Sequence, residues 1–116
     1  MKPKIYGIKN CDTMKKAFAW LDAKKIVHDF HDYKKDGVPA AKLKEWAGRA
    51  GWEKLANSRG PTWRKIPQAH RENLTQTSAL ALLAANSSAI KRPVMEAGQA
   101  LLIGFDPAEY AAALRK

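Results

Sequence analysis

The apolar positions change period twice before Tyr33. Ile5, Tyr6 and Ile8 cluster in Lys4–Ile8 and predict a short strand. From Met14 the spacing becomes helical. Met14, Ala17, Phe18 and Leu21 fall at i, i+3, i+4 and i+7, one apolar stripe on a helix predicted over Asp12–Lys25. Ile26–Tyr33 is rich in β-branched and aromatic residues with imperfect alternation, and predicts a second strand. Strand, helix and strand at this spacing form a βαβ unit, so the two strands should be parallel.

After the Asp36-Gly37 turn the pattern stays helical as far as residue 90. Val38-Pro39 opens a helix, with the proline suited to its first turn. Leu43, Trp46 and Ala47 form its buried face, and Gly48 and Gly51 break it. Trp52–Ala56 reads as a short helix, Ser58–Thr62 as a loop, Trp63–Ile66 as a helical turn ended by Pro67, and Ser78–Ala85 as a longer helix. Trp46, Trp52 and Trp63 are expected in the core of this block, which holds no convincing strand. Val94–Glu96 and Ala100–Ile103 then read as strands joined through Ala97-Gly98-Gln99, a hairpin spacing with glycine at the tip. Asp106-Pro107 opens a last helix, with Asp106 as N-cap and Pro107 at the first helical position; Tyr110, Ala111 and Leu114 are its apolar residues. The order βαβ, helices 38–90, ββα predicts an α/β protein with a single domain over 1–116.

Composition narrows the function classes. Hydrophobic content of 46% and charged content of 28% suit a soluble globular chain. No apolar run reaches the length of a membrane span, and the basic start Met1-Lys2-Pro3-Lys4 is not followed by a signal-peptide core. A net charge of +10 invites a nucleic-acid reading. The excess is spread over both halves of the chain, not gathered on an arm or helix face, so nucleic acid is disfavoured. An attraction for small anions or an acidic partner surface fits better.

The chain has one cysteine, Cys11, which excludes an internal disulfide, a Cys-x-x-Cys redox pair (the position three on is Met14) and a multi-cysteine zinc site. Most lone cysteines are buried packing. Cys11, however, lies where a strand passes through a tight loop into a helix. Free backbone N–H groups and the positive helix end favour a thiolate there, and Lys9, Lys15 and Lys16 add cationic charge. A free thiol without an export signal points to a reducing cytoplasm.

Asn10 precedes the cysteine and can hydrogen-bond within the loop. Lys15 lies one helical turn after it on roughly the same face. Asp12 opposes a thiolate by charge yet suits the helix start, and a capping role is expected to dominate. Arg59 and Arg92 are candidate anion ligands, since guanidinium stays charged and binds oxyanions or carboxylates at two points. His28 and His31 should point to opposite faces of the second strand and so not share a metal; His70 has no clear partner. No metal site is expected.

The segments Tyr6-Gly7-Ile8-Lys9-Asn10-Cys11-Asp12-Thr13-Met14-Lys15-Lys16-Ala17, His31-Asp32-Tyr33-Lys34, Arg59-Gly60-Pro61-Thr62-Trp63-Arg64-Lys65 and Ile90-Lys91-Arg92-Pro93-Val94 resemble the ArsC/Spx family, and within it the YffB-like, ArsC-related subgroup. The resemblance covers essentially the whole chain. It implies a thioredoxin-like fold with a four-stranded mixed sheet and a helical insertion at about 38–90. It implies Cys11 as nucleophile, Arg92 near it, and Pro93 as a cis proline beside it. Asn10, Lys15, Arg59 and Pro93 become expected substrate-binding residues, with Cys11 and Arg92 catalytic.

Three functions stand on these residues. The first is a monothiol, glutathione-dependent thiol–disulfide oxidoreductase. Glutathione serves as co-substrate, no cofactor is tightly bound, and an external thiol completes the cycle. The second is arsenate reduction by the same cysteine, coupled to glutathione and glutaredoxin. The family's arsenate reductases of that type place a third arginine near the end of the last strand, where this chain has Leu102-Ile103-Gly104-Phe105-Asp106. The third is a non-enzymatic, Spx-like regulator that binds RNA polymerase; Met14 removes the cysteine pair of Spx-type redox switching.

Overall fold

The computed structural model describes residues 2–114. It holds two compact units, one built from the chain up to Asp36 and from Arg92 onward, the other from Gly37–Lys91.

The first unit is a four-stranded mixed sheet with two long helices. The strands are β1 (Lys4–Gly7), β2 (Asp29–Asp32), β3 (Val94–Ala97) and β4 (Ala100–Ile103), in the order β2-β1-β3-β4. β1 runs parallel to β2 and antiparallel to β3, and β3 pairs antiparallel with β4. Alternation along the strands explains the layering. Ile5 pairs with Phe30 and Met95, and Met95 with Leu102, so one sheet face is apolar. Helix α1 (Asp12–Ala23) lays Met14, Ala17 and Leu21 on that core, and α8 (Pro107–Leu114) adds Tyr110. The opposite face is more polar. There Tyr6 pairs with His31 and Val94, and Lys4 with Asp29 and Glu96. The Tyr6 hydroxyl donates to Glu96 Oε1 at 2.9 Å.

Several elements differ from the sequence reading. The second strand is Asp29–Asp32 only. Ile26 is drawn back onto the helix end, its N–H bonding Leu21 O at 2.9 Å, and Val27 is exposed. Tyr33 leaves the strand to begin a one-turn helix, α2 (Tyr33–Asp36). Helix α1 stops at Ala23, and Lys25 takes a left-handed φ of 57° as the chain turns out of it. Asp12 is not its cap. The N-cap position is Cys11 itself, extended at φ −144° and ψ 132°, with Asp12 inside the first turn. At the other end the cap is as read: Asp106 Oδ1 accepts from the N–H of Ala108 at 2.9 Å, with Pro107 first in α8.

The second unit is helical: α3 (Ala40–Ala50), α4 (Trp52–Leu55), α5 (Pro61–Lys65), α6 (Gln68–Arg71), α7 (Gln76–Ala85) and a 3-10 turn (Ser87–Ala89). Leu43, Trp46 and Ala47 are the buried face of α3. Gly48 does not break that helix. It lies exposed within α3, and the stop comes at Gly51, whose φ of 91° suits only glycine. Pro39 is the extended N-cap and not a first-turn residue. Trp46 and Trp63 are buried, whereas Trp52 is half-exposed. Helix α7 starts before Ser78 because Thr75 and Ser78 cap each other's backbone N–H groups. A single bridge, Ala56 with Ile90, is the only strand-like pairing found in this unit among the described residues. Among those residues no helix is long and apolar enough to cross a membrane.

Gly7 ends β1 and lies against Met14 of α1. A Cβ placed on it would come within 2.5 Å of Met14 Sδ and 2.8 Å of Met14 Cε. Met14 is fully buried and has little room to yield. Gly7→Ala is therefore expected to destabilise the protein by about 1–3 kcal/mol, the range for overpacking a filled core. Denaturant unfolding with an unchanged m value reads it directly.

Candidate functional site

The site grows from the C-terminal end of β1. Gly7 closes the strand, Ile8-Lys9-Asn10 turn the chain, and Cys11 opens α1. Because Cys11 is the N-cap, the unpaired N–H groups of the first helical turn face its sulfur. No capping hydrogen bond closes on the sulfur itself. The N–H groups of Met14 and Thr13 nonetheless favour its anion. The Cys11 backbone is fixed from the other side, its carbonyl accepting from Lys15 N–H at 2.9 Å.

The second component arrives from far along the chain. β3 runs antiparallel to β1 with Val94 opposite Tyr6, so the residues just before β3 reach the edge of the sheet where β1 ends. Arg92 is there, joined to Pro93 by a cis peptide bond. Its Nε–H donates to Cys11 Sγ at 3.5 Å, across 81 residues of sequence. Pro93 O accepts from Gly104 N–H at 2.8 Å, which ties this corner to the end of β4.

Opposed effects set the thiol's titration. Burial is the largest and pushes it up. Against it stand the Arg92 hydrogen bond, the Met14 N–H, the Arg92 charge and the Thr13 N–H, and together they win. Cys11 therefore ionises below the ordinary thiol range, and it is half-exposed. A reachable thiol whose ionisation is eased beside a cation has the chemistry to attack sulfur or another soft electrophile.

The remaining candidates lie around and apart from this pair. Asn10 and Lys15 flank Cys11 with exposed side chains. Arg59 belongs to the second unit. It is exposed beside an open depression it shares with Lys54, Asn57, Ser58 and Lys91. His28 stacks on Phe18 with ring centroids 5.6 Å apart, while His31 lies beside Tyr6 at 5.3 Å, on the other sheet face. Among the described residues no three His, Cys, Asp or Glu side chains gather to hold a metal ion.

Sequence reasoning passed over two residues of this region. Gly7 has a local signal, since glycine at a strand end marks a close approach. Tyr33 lies within the His31–Lys34 segment of the resemblance, but no local signal marks its hydroxyl. The residue is 3% exposed, and its significance depends on neighbours that only folding supplies.

Known proteins share this architecture. The model of the ArsC family matches residues 6–113. An uncharacterized protein of Haemophilus influenzae is 44% identical over 109 residues, covering 94% of this chain and 96% of its own. The solved structure of the YFFB protein is 47% identical with a TM-score of 0.94, covering 97% of this chain and 99% of its own. That of an arsenate reductase-related protein from Brucella melitensis is 46% identical with a TM-score of 0.77, covering 100% and 97%.

Proposed function

The chain belongs to the ArsC family, and we propose that within it this protein is a monothiol, glutathione-dependent thiol–disulfide oxidoreductase working through Cys11. One observation carries the reading: Arg92 Nε–H meets Cys11 Sγ at 3.5 Å over the opening turn of α1, and the thiol ionises below its ordinary range.

The cycle follows from a single thiol. The Cys11 thiolate attacks the glutathione sulfur of a mixed disulfide. That S–S bond breaks, the other thiol leaves as thiolate and takes a proton from water, and Cys11 holds the glutathione. A second glutathione thiolate then attacks the held sulfur, which releases glutathione disulfide and restores the Cys11 thiolate. The mixed disulfide and one glutathione thiol thus become the freed thiol and glutathione disulfide, one S–S bond broken for each one formed. The second thiol must come from outside the chain. Met14, where a resolving cysteine would stand, is fully buried in the core against Gly7. The same residue weighs against Spx-type switching. Glutathione carries two carboxylates, and Arg92 and Lys15 supply the matching charge. Glutathione disulfide is the test substrate. Mass spectrometry is expected to find one glutathione on the native protein and none on Cys11→Ser.

Arsenate reduction is the second reading, favoured by the likeness to the arsenate reductase-related protein of Brucella melitensis. The stretch after β4 weighs against it. Leu102–Asp106 holds no arginine, and Phe105 is committed to packing, edge-on to Tyr110 with centroids 4.9 Å apart. Fewer cations meet less of the charge that develops as arsenic is attacked. Arsenate-dependent NADPH oxidation with glutathione, glutaredoxin and glutathione reductase is expected to stay near background. Efficient turnover by the native protein, lost in Cys11→Ser, would put arsenate first.

A further inference from the structure

Tyr33 begins α2 one residue beyond β2 and is 3% exposed. Its hydroxyl is a buried side-chain polar atom with no hydrogen-bond partner among the described residues. Buried hydroxyls are rarely left so, and each exception calls for a reason. Strand register places this one at the active edge. Asp32 pairs with Gly7, so Tyr33 follows the end of the parallel β1–β2 pair, from which the Cys11 loop also departs. Arg92 reaches the same edge through the pairing of Val94 with Tyr6. The rings of Tyr6, His31 and Tyr33 form a continuous row, with centroids 5.3 and 6.0 Å apart.

Two further facts link Tyr33 to the chemistry. Burial, first, with the Tyr6 and Glu96 fields added, pushes its titration far above the ordinary range, so the hydroxyl is neutral and able to accept as well as donate. The Arg92 charge acts in the opposite sense. Arg92 is also the side chain whose bonding changes during the proposed cycle. When Cys11 is ionised, the Arg92 Nε–H meets an anionic sulfur. In the mixed disulfide that sulfur is neutral and a poor acceptor, while the guanidinium keeps its charge and its donors.

We propose that Tyr33 is a positioning residue for Arg92: its hydroxyl oxygen accepts a guanidinium N–H when Cys11 passes from thiolate to mixed disulfide. The inference rests on the thiol–disulfide reading above. Tyr33 then stabilises the glutathionylated state and leaves the reduced thiolate to Arg92 and the helix start. Arg92 is kept at the sheet edge, ready to receive the thiolate when the second glutathione restores it.

Tyr33→Phe keeps the ring and removes the hydroxyl. In the full chain, equilibrated with reduced and oxidised glutathione, the variant is expected to lower the equilibrium constant for glutathionylation about tenfold, the loss of one hydrogen bond to a charged group. Its Cys11 titration midpoint, read from alkylation rate against pH, is expected to match the native one. A purely structural role would not separate these two readouts. An unchanged equilibrium constant overturns the proposal, and so does a shifted thiolate midpoint. A second measurement uses NMR of the Arg92 Nε–Hε group. Its signal is expected to move on glutathionylation of the native protein and to move differently in Tyr33→Phe; identical changes in both overturn the assignment. If the native protein takes up no glutathione, the thiol–disulfide reading falls and this inference with it. If it does and Tyr33→Phe matches it, only the role of Tyr33 falls.

Discussion

Cys11→Ser is expected to abolish glutathione-coupled disulfide reduction while the protein stays folded. The loss should be complete, because no other thiol exists in the chain to take over and a serine hydroxyl stays protonated where a thiol ionises. Stability should barely change. Cys11 is half-exposed and touches the core only at its edge. It also occupies the N-cap of α1 without making a capping bond, in an extended conformation that serine caps adopt readily. A serine oxygen there can accept from the N–H groups that face the sulfur. That gain offsets the lost contact, and the net change is expected within about 1 kcal/mol of zero. Circular dichroism and denaturant unfolding test the fold; the glutathione assay tests the chemistry. Turnover retained in a folded Cys11→Ser variant would remove Cys11 from the centre of the mechanism.

The nucleophile is legible in the sequence because its signal is local. A short apolar run, a polar loop and a helical stripe beginning at Met14 lie within a few residues of Cys11. The ends of α8 and the β3–β4 hairpin are legible for the same reason, through Asp106-Pro107 and through Gly98, whose φ is 61°. Where tertiary packing competes with propensity, the local signal misleads. Ile26 and Val27 have strand-forming side chains, yet Ile26 is claimed by the end of α1 and only Asp29–Asp32 pairs with β1. Gly48 looks like a stop, but the buried stripe of Leu43, Trp46 and Ala47 carries α3 past it. Helix α6 is too short and polar to show a stripe at all. Asp12 has the chemistry of a cap, but the extended backbone belongs to the residue before it.

The rest of the site is non-local. Arg92 lies 81 residues from Cys11, and its charge makes it a candidate anion ligand without saying what it stands beside. The register of β3 on β1 delivers it to the sulfur, and from the sequence that placement comes only through resemblance to a family. The Tyr33 hydroxyl is less accessible still to that kind of reading. A tyrosine at a strand end is ordinary; an unpaired hydroxyl at 3% exposure is a property of its surroundings.

Arg92→Ala is expected to raise the titration midpoint of Cys11 and slow its reaction with glutathione disulfide near neutral pH. The sign follows from the balance at the sulfur. Burial pushes the thiol up and is the largest effect, and Arg92 supplies two of the four that pull it down, a hydrogen bond and a charge. Without them, only the N–H groups of Met14 and Thr13 oppose burial, so the midpoint must move upward. The rate falls by less than the thiolate fraction does, since a more basic thiolate attacks faster. With a Brønsted slope of about 0.4–0.5, each unit of upward shift costs about threefold to fourfold in rate below both midpoints. Above both midpoints ionisation no longer separates the two proteins. The rate difference left there, corrected for the faster attack of the more basic thiolate, measures the lost contact to glutathione, worth about 1.5–3 kcal/mol for a shielded charge-assisted bond and less for a half-exposed arginine. Lys15→Ala provides the comparison. Lys15 is exposed and offers a point charge on a mobile stem, so its removal should change binding by at most about 1 kcal/mol and weaken further as salt is added. Alkylation rate and glutathione-disulfide reaction rate, each followed across pH for the three proteins, separate the contributions. An unmoved midpoint in Arg92→Ala, or equal shifts from Arg92→Ala and Lys15→Ala, would mean that diffuse positive charge activates Cys11 and that the contact at its sulfur does not.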